Sequence, residues 1–162
     1  MGRRRSLPTG AGGVHGRRVY PSGERGKAVY SLAMDVFSVL LIVDDDALVR
    51  AFLRDELEAR GHVVLTARDA VEARTLLEQV EDRVVVVLDL MLPGMNGVEL
   101  LAELHPRSPA HLRFVLVSAS QVVGRVAQDH PLVVGRLEKP IDLARLVEHV
   151  QAAESQLALA PG

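Results

Sequence analysis

Val39-Leu40-Leu41-Ile42-Val43-Asp44-Asp45-Asp46 and Val84-Val85-Val86-Val87-Leu88-Asp89 are two apolar runs that stop on aspartate. Runs of this length without alternation read as strands buried on both faces, the condition of a parallel sheet layered between helices. In an open sheet of that kind, ligands bind outside the carboxyl ends of the strands. Acids ending two such strands can converge on one spot, and that spot is the candidate site.

Strand and helix patterns alternate from Val36 onward. Asp46 is placed to cap a helix over residues 47–60 whose apolar face is Leu48, Val49, Phe52, Leu53 and Leu57, with Gly61 as its stop. A strand over 62–66 follows, then a helix over 69–80 that turns Ala73, Leu76, Leu77 and Val80 inward. After the central strand at 84–88, Pro93, Gly94 and Gly97 enforce a loop. A short helix over 98–104 leads through Pro106 and Pro109 to a strand at 114–117. A helix around 121–128 and a strand over 133–138 come next. The last helix opens at Pro140 or Ile141 and carries Leu143, Leu146, Val147 and Val150, and the tail after Ser155 is expected to fray.

Five strands alternating with five helices imply right-handed crossovers and helices on both sheet faces. The expected fold is a doubly wound α/β domain over residues 36–153, with a five-stranded parallel sheet in the flavodoxin-like order 2-1-3-4-5. Its switch point lies between the first and third strands, the two that end in aspartate. Strand ends around that crevice add Ser118 and Lys139.

Composition narrows the chemistry. A chain of 162 residues supports one well-formed core. With no Cys there is no disulfide framework, thiolate metal site or thiol nucleophile. The six His fall at no metal-ligand spacing and read as surface or cap residues. No apolar run approaches the roughly 18 residues of a membrane span.

Charge divides the chain in two. Residues 1–33 carry seven cations against Glu24, a net +6, and the remainder is −8. That leader also holds seven of the 13 glycines, so residues 1–35 are expected to be disordered. A basic arm of this kind can touch nucleic acid or an acidic membrane surface, but a plain tail, or a start at Met34, is the preferred reading. Residues 154–162 are expected to be a frayed tail.

Two carboxylates about 4 Å apart repel by roughly 4 kcal/mol at an effective dielectric near 20, so a cluster of three calls for a cation. Oxygen ligation suits Mg²⁺ or Mn²⁺, with substrate phosphate completing the shell. An aspartate can then act as nucleophile on phosphorus while Lys139 neutralises the transferring oxygens. Lys139 is the only lysine after Lys27, in a region whose other eleven cations are arginine. A compact ammonium serves phosphate as a point charge where the planar guanidinium does not substitute freely.

With these residues placed, the chain resembles the receiver domain of two-component response regulators. The resemblance is carried by Leu41-Ile42-Val43-Asp44-Asp45-Asp46, Leu88-Asp89-Leu90-Met91-Leu92-Pro93-Gly94-Met95-Asn96-Gly97, Val117-Ser118-Ala119 and Glu138-Lys139-Pro140. Four motifs in order, each at a strand end, make it specific. It implies a phosphoacceptor at Asp89 and metal ligation by Asp44, Asp45, Asp89 and the backbone carbonyl of Met91. Ser118 becomes the switch hydroxyl, Lys139 the phosphate partner, and Pro140 follows a peptide bond that is typically cis in the family. Asp46 is read as a helix cap and not as a ligand.

The resemblance also implies partners: a sensor histidine kinase or a histidine phosphotransfer protein upstream, and a downstream protein reached by contact. No output domain follows the last helix, so a stand-alone cytoplasmic signalling protein is expected, with no DNA binding by the domain and no enzymatic activity beyond its own phosphorylation chemistry. One position departs. Receivers usually place Tyr or Phe three residues before the lysine, and this chain has Arg136, which is expected to stay on the outer face of the last strand.

Two other classes compete. A receiver used as a phosphorylation-independent interaction module is compatible with Arg136. A haloacid-dehalogenase-type phosphatase shares the order of acid, hydroxyl and lysine. It is disfavoured because Asp44-x-Asp46 is followed by Ala47-Leu48, without the usual Thr or Val second, and because it leaves the Asp89 loop unexplained.

Overall fold

The computed structural model describes residues 18–20, 29–31, 38–94, 97–104, 110–119 and 129–160. Every residue of the two aspartate-terminated runs is buried, Val39–Val43 and Val84–Asp89 alike, as unbroken apolar runs require of strands covered on both faces. Numbered along the chain they are β3 and β5. They follow a two-stranded antiparallel ribbon of β1 (Arg18–Tyr20) and β2 (Val29–Ser31). Between them lie α1 (Ala47–Glu58), β4 (Val63–Ala67) and α2 (Ala70–Gln79). After them come α3 (Gly97–Leu104), β6 (Leu112–Ser118), β7 (Val133–Glu138) and α4 (Leu143–Leu159).

The main sheet runs β4-β3-β5-β6-β7 with every pairing parallel, which is the expected order 2-1-3-4-5 counted within the sheet. The period of two divides β3 between two cores. Val39, Leu41 and Val43 join Ala73, Leu77, Leu100 and Phe114 on the face covered by α2 and α3. Leu40 and Ile42 join Leu53, Leu57, Leu146 and Val150 on the face covered by α1 and α4. Each fully buried aliphatic side chain contributes about 1.5–3 kcal/mol. Register then levels the strand ends. Val43 pairs with Leu88 and Leu88 with Leu116, so the acids that follow β3 and close β5 emerge side by side.

Several local readings need correction. In α1, Leu53 and Leu57 face inward as expected, but Leu48 is 81% and Phe52 is 52% exposed, while Arg50 is buried at 7%. The helical period aligns Arg50 with Leu53 and Leu57, whereas Leu48 and Phe52, four apart, lie on another line. The helix ends at Glu58 and not at Arg60, and Gly61 then takes the left-handed region at φ +90°. The second strand is shifted by one residue, and the fourth extends to Leu112 and Ser118.

The last helix does not open at Pro140 or Ile141. Asp142 accepts from the amides of Ala144 and Arg145 and starts it at Leu143. Nor does the chain fray after Ser155, because α4 continues to Leu159 with Leu157 fully buried against the sheet. Within the expected disordered leader, β1 and β2 form the ribbon, and β2 runs beside the edge strand β4. The helix expected around 121–128 lies outside the described residues. No helix among the described residues is long and apolar enough to cross a membrane.

Candidate functional site

At the carboxyl end of the sheet, Asp44, Asp45 and Asp89 bring one carboxylate oxygen each within 4.8 Å of one another. Asp44 and Asp89 are buried at 3% exposure, whereas Asp45 is exposed. The two buried acids are held alike. Asp44 Oδ1 accepts from the Asp46 amide at 2.8 Å, and Asp89 Oδ1 accepts from the Met91 amide at 2.8 Å. These are turns in which the aspartate side chain binds the backbone two residues on, the local habit of Asp at a strand end. The opposite oxygens, Asp44 Oδ2 and Asp89 Oδ2, each accept from Lys139 Nζ at 2.8 Å.

Lys139 reaches this point because β7 ends beside β6. Its amide donates to the Ser118 carbonyl at 3.1 Å, and the Lys139–Pro140 bond is cis. Burial lowers its pKa, and that is the largest single influence. The hydrogen bonds and charges of Asp44 and Asp89 together outweigh it, so the net shift is upward and the ammonium is held charged. Three carboxylates and one ammonium still sum to −2. An all-oxygen donor set with two negative charges left over fits a hard divalent cation, and each oxygen bound to Lys139 keeps a second lone pair.

Asp46 is the cap of α1, its Oδ1 accepting from Leu48 and Val49 at 2.8 and 3.3 Å, in agreement with its reading as a cap. Ser118 is buried at the end of β6, level with Glu138 of β7. Met91 extends its side chain outward, 53% exposed, beside Asp89. Pro93 is exposed in the following loop and Pro140 is exposed after Lys139. Gly97 packs on the strand end itself: an added Cβ would meet the Asp89 carbonyl oxygen at 2.6 Å and Leu90 Cα at 2.8 Å. Arg136 is exposed on β7, opposite Leu116 in register. The sequence reading missed Arg50, whose Nη1 donates to the Asp44 carbonyl at 2.7 Å. Its signal was the helical phase shared with Leu53 and Leu57.

Residues 40–151 match the model of the response regulator receiver domain. The chain belongs to that family. It is 32% identical over 133 residues to Protein PetR of Rhodobacter capsulatus, covering 75% of this chain and 55% of that protein. To the response regulator MprA of Mycobacterium sp. strain KMS it is 34% identical over 113 residues, covering 70% and 49%. The receiver thus spans about half the length of these curated relatives. A CheY-like receiver domain protein from Methanospirillum hungatei superposes with a TM-score of 0.68 at 25% identity, over 76% of this chain and 98% of that one. The receiver family is a signalling family.

Proposed function

We propose that this receiver accepts a phosphoryl group on Asp89 from a histidine kinase or histidine phosphotransfer protein, in a Mg²⁺-dependent reaction, and signals by altered protein–protein contact in the cytoplasm. The carrying observation is the bridging of Asp44 and Asp89 by one ammonium within a three-carboxylate cluster. Asp44, Asp45, Asp89 and the Met91 carbonyl would hold Mg²⁺ or Mn²⁺. Bound there, the divalent ion supplies neutralising charge for the phosphoryl oxygens.

Asp89 contributes the nucleophile. One carboxylate oxygen attacks phosphorus, the P–N bond to the donor imidazole breaks, and the bonding pair leaves with the imidazole. Lys139 exchanges its bond to Asp89 for one to a phosphoryl oxygen, and the Ser118 hydroxyl donates to another. That exchange breaks the bridge between Asp44 and Asp89 and biases the domain toward a second conformation. Arg136, exposed on β7, contributes a cation to the surface that a downstream protein reads.

Incubation with Mg²⁺ and acetyl phosphate tests this reading, with Asp89→Asn alongside. A base-labile adduct in the wild type and none in the variant is expected. Rapid phosphate turnover through Asp44 would favour a phosphatase instead. No adduct, even with a cognate kinase, would favour a phosphorylation-independent module.

A further inference from the structure

The hydrogen-bond ladder between β3 and β4 reaches the site at Asp44. The Asp44 amide still donates to the Ala67 carbonyl of β4 at 3.1 Å, the last such bond along β3. Beyond it the peptide joining Asp44 to Asp45 leaves the sheet. That peptide is a rigid plane carrying the Asp44 C=O at one end and the Asp45 N–H at the other, so its orientation fixes how the two acids are aimed relative to each other. Its oxygen accepts from Arg50 Nη1 at 2.7 Å.

Arg50 is buried on α1, in phase with the core residues Leu53 and Leu57. Burying a guanidinium costs several kcal/mol before its interactions offset it, a high cost for a helix position that an aliphatic residue would fill. With the Arg50 contact, Asp44 is held at four points: amide, carbonyl, Oδ1 through Asp46, and Oδ2 through Lys139. Asp45, being exposed, depends on the same peptide plane for its aim.

We propose that Arg50 is a positioning residue for divalent-cation binding, locking the Asp44–Asp45 peptide plane so that both carboxylates face one point. The inference rests on the reading of the cluster as a cation site. Its sign is diagnostic, because a nearby positive charge by itself would weaken cation binding. Removing Arg50 therefore weakens the binding of a divalent ion if positioning dominates and strengthens it if charge dominates.

The test is Mn²⁺ titration of the full chain followed by the electron paramagnetic resonance signal of free Mn²⁺, with wild type, Arg50→Met and Arg50→Lys compared at matched folded fraction. Partners behind metal ligands are typically worth 10–100-fold in affinity, so Arg50→Met is expected to bind Mn²⁺ about 10-fold more weakly. Arg50→Lys, which keeps a charged donor, is expected to recover part of that loss. Arg50→Met binding Mn²⁺ as tightly as the wild type, or more tightly, overturns the proposal. If Arg50→Met fails to fold, Arg50→Gln takes its place, with the same loss expected and unchanged affinity overturning the proposal. A wild-type protein that binds no Mn²⁺ overturns the cation-site reading itself, and this inference with it.

Discussion

Replacing Gly97 with alanine should damage the site through its backbone, without touching any of its charged groups. The added Cβ would lie 2.6 Å from the Asp89 carbonyl oxygen, about 0.8 Å inside the roughly 3.4 Å where ordinary contact begins. The second neighbour, Leu90 Cα, is also backbone and offers no flexible side-chain end to move aside. The first turn of α3 or the end of β5 must therefore shift by most of that distance. Overpacking of this kind costs about 1–3 kcal/mol, and the better helix propensity of alanine returns at most about 1. Net destabilisation of about 1–2 kcal/mol is expected in urea unfolding. A displacement near 1 Å at a reacting group costs on the order of 100-fold in rate, so acetyl-phosphate labelling should slow by about 10- to 100-fold. Gly61→Ala is the control. Its φ of +90° makes a side chain unfavourable, by roughly 1–2 kcal/mol, but nothing lies within 4 Å of the added Cβ and the position is remote from Asp89. It should lose similar stability and label at the wild-type rate. Gly97→Ala labelling as fast as Gly61→Ala would refute the reasoning.

Lys139→Met leaves Asp44 and Asp89 buried without their shared cation, and destabilisation by about 3–5 kcal/mol is expected in metal-free buffer. Mg²⁺ at 100 times its dissociation constant should return about 2.7 kcal/mol, and urea midpoints with and without Mg²⁺ check both values. At the opposite end of β3, Glu154 accepts from the Ser38 hydroxyl at 2.7 Å and lies 3.4 Å from His62 Nδ1. Burial pushes the Glu154 carboxyl up most strongly as a single influence, but His62 and Ser38 together bring it below its ordinary value. A depressed folded pKa gives stability that is present above the ordinary carboxylate range and is lost as pH falls through the folded value. Glu154→Gln should therefore be less stable than wild type at pH 7, with the gap closing as pH falls below the ordinary carboxylate range and through the lowered folded value; a gap that persists in strong acid speaks against the linkage. Leu48→Ser and Phe52→Ser on the outward line of α1 should each change stability by less than about 1 kcal/mol, whereas Leu53→Ala should cost about 2–5, as thermal unfolding can show.

Patterns set by burial were legible in the sequence, and contacts set by phase or by distant partners were not. Val39–Val43 and Val84–Asp89 announced a doubly covered sheet because nothing polar interrupts them, and chain order together with crossover handedness then placed Asp44, Asp89 and Lys139 at one end. A count of apolar residues does not give the buried face of α1, because phase decides it: Arg50 shares the line of Leu53 and Leu57, and Leu48 and Phe52 lie on another. Pro140 is the more conspicuous helix-start signal in the sequence, but the cap is Asp142, whose side chain satisfies the amides of both Ala144 and Arg145. The Ser38–Glu154–His62 network joins Ser38 to Glu154, 116 positions away, a separation that no local pattern reveals.

The central claim is that Asp89 is the acid that reacts, while Asp44 and Asp45 serve the cation. Treating the phosphorylated protein with borohydride converts an aspartyl phosphate to homoserine, and peptide mapping then locates it in the sequence. Homoserine at position 89, dependent on Mg²⁺ and on acetyl phosphate or a phosphorylated histidine donor, is the predicted result. Homoserine at position 44 or 45, or none anywhere while the protein remains folded and charged with Mg²⁺, would contradict the account.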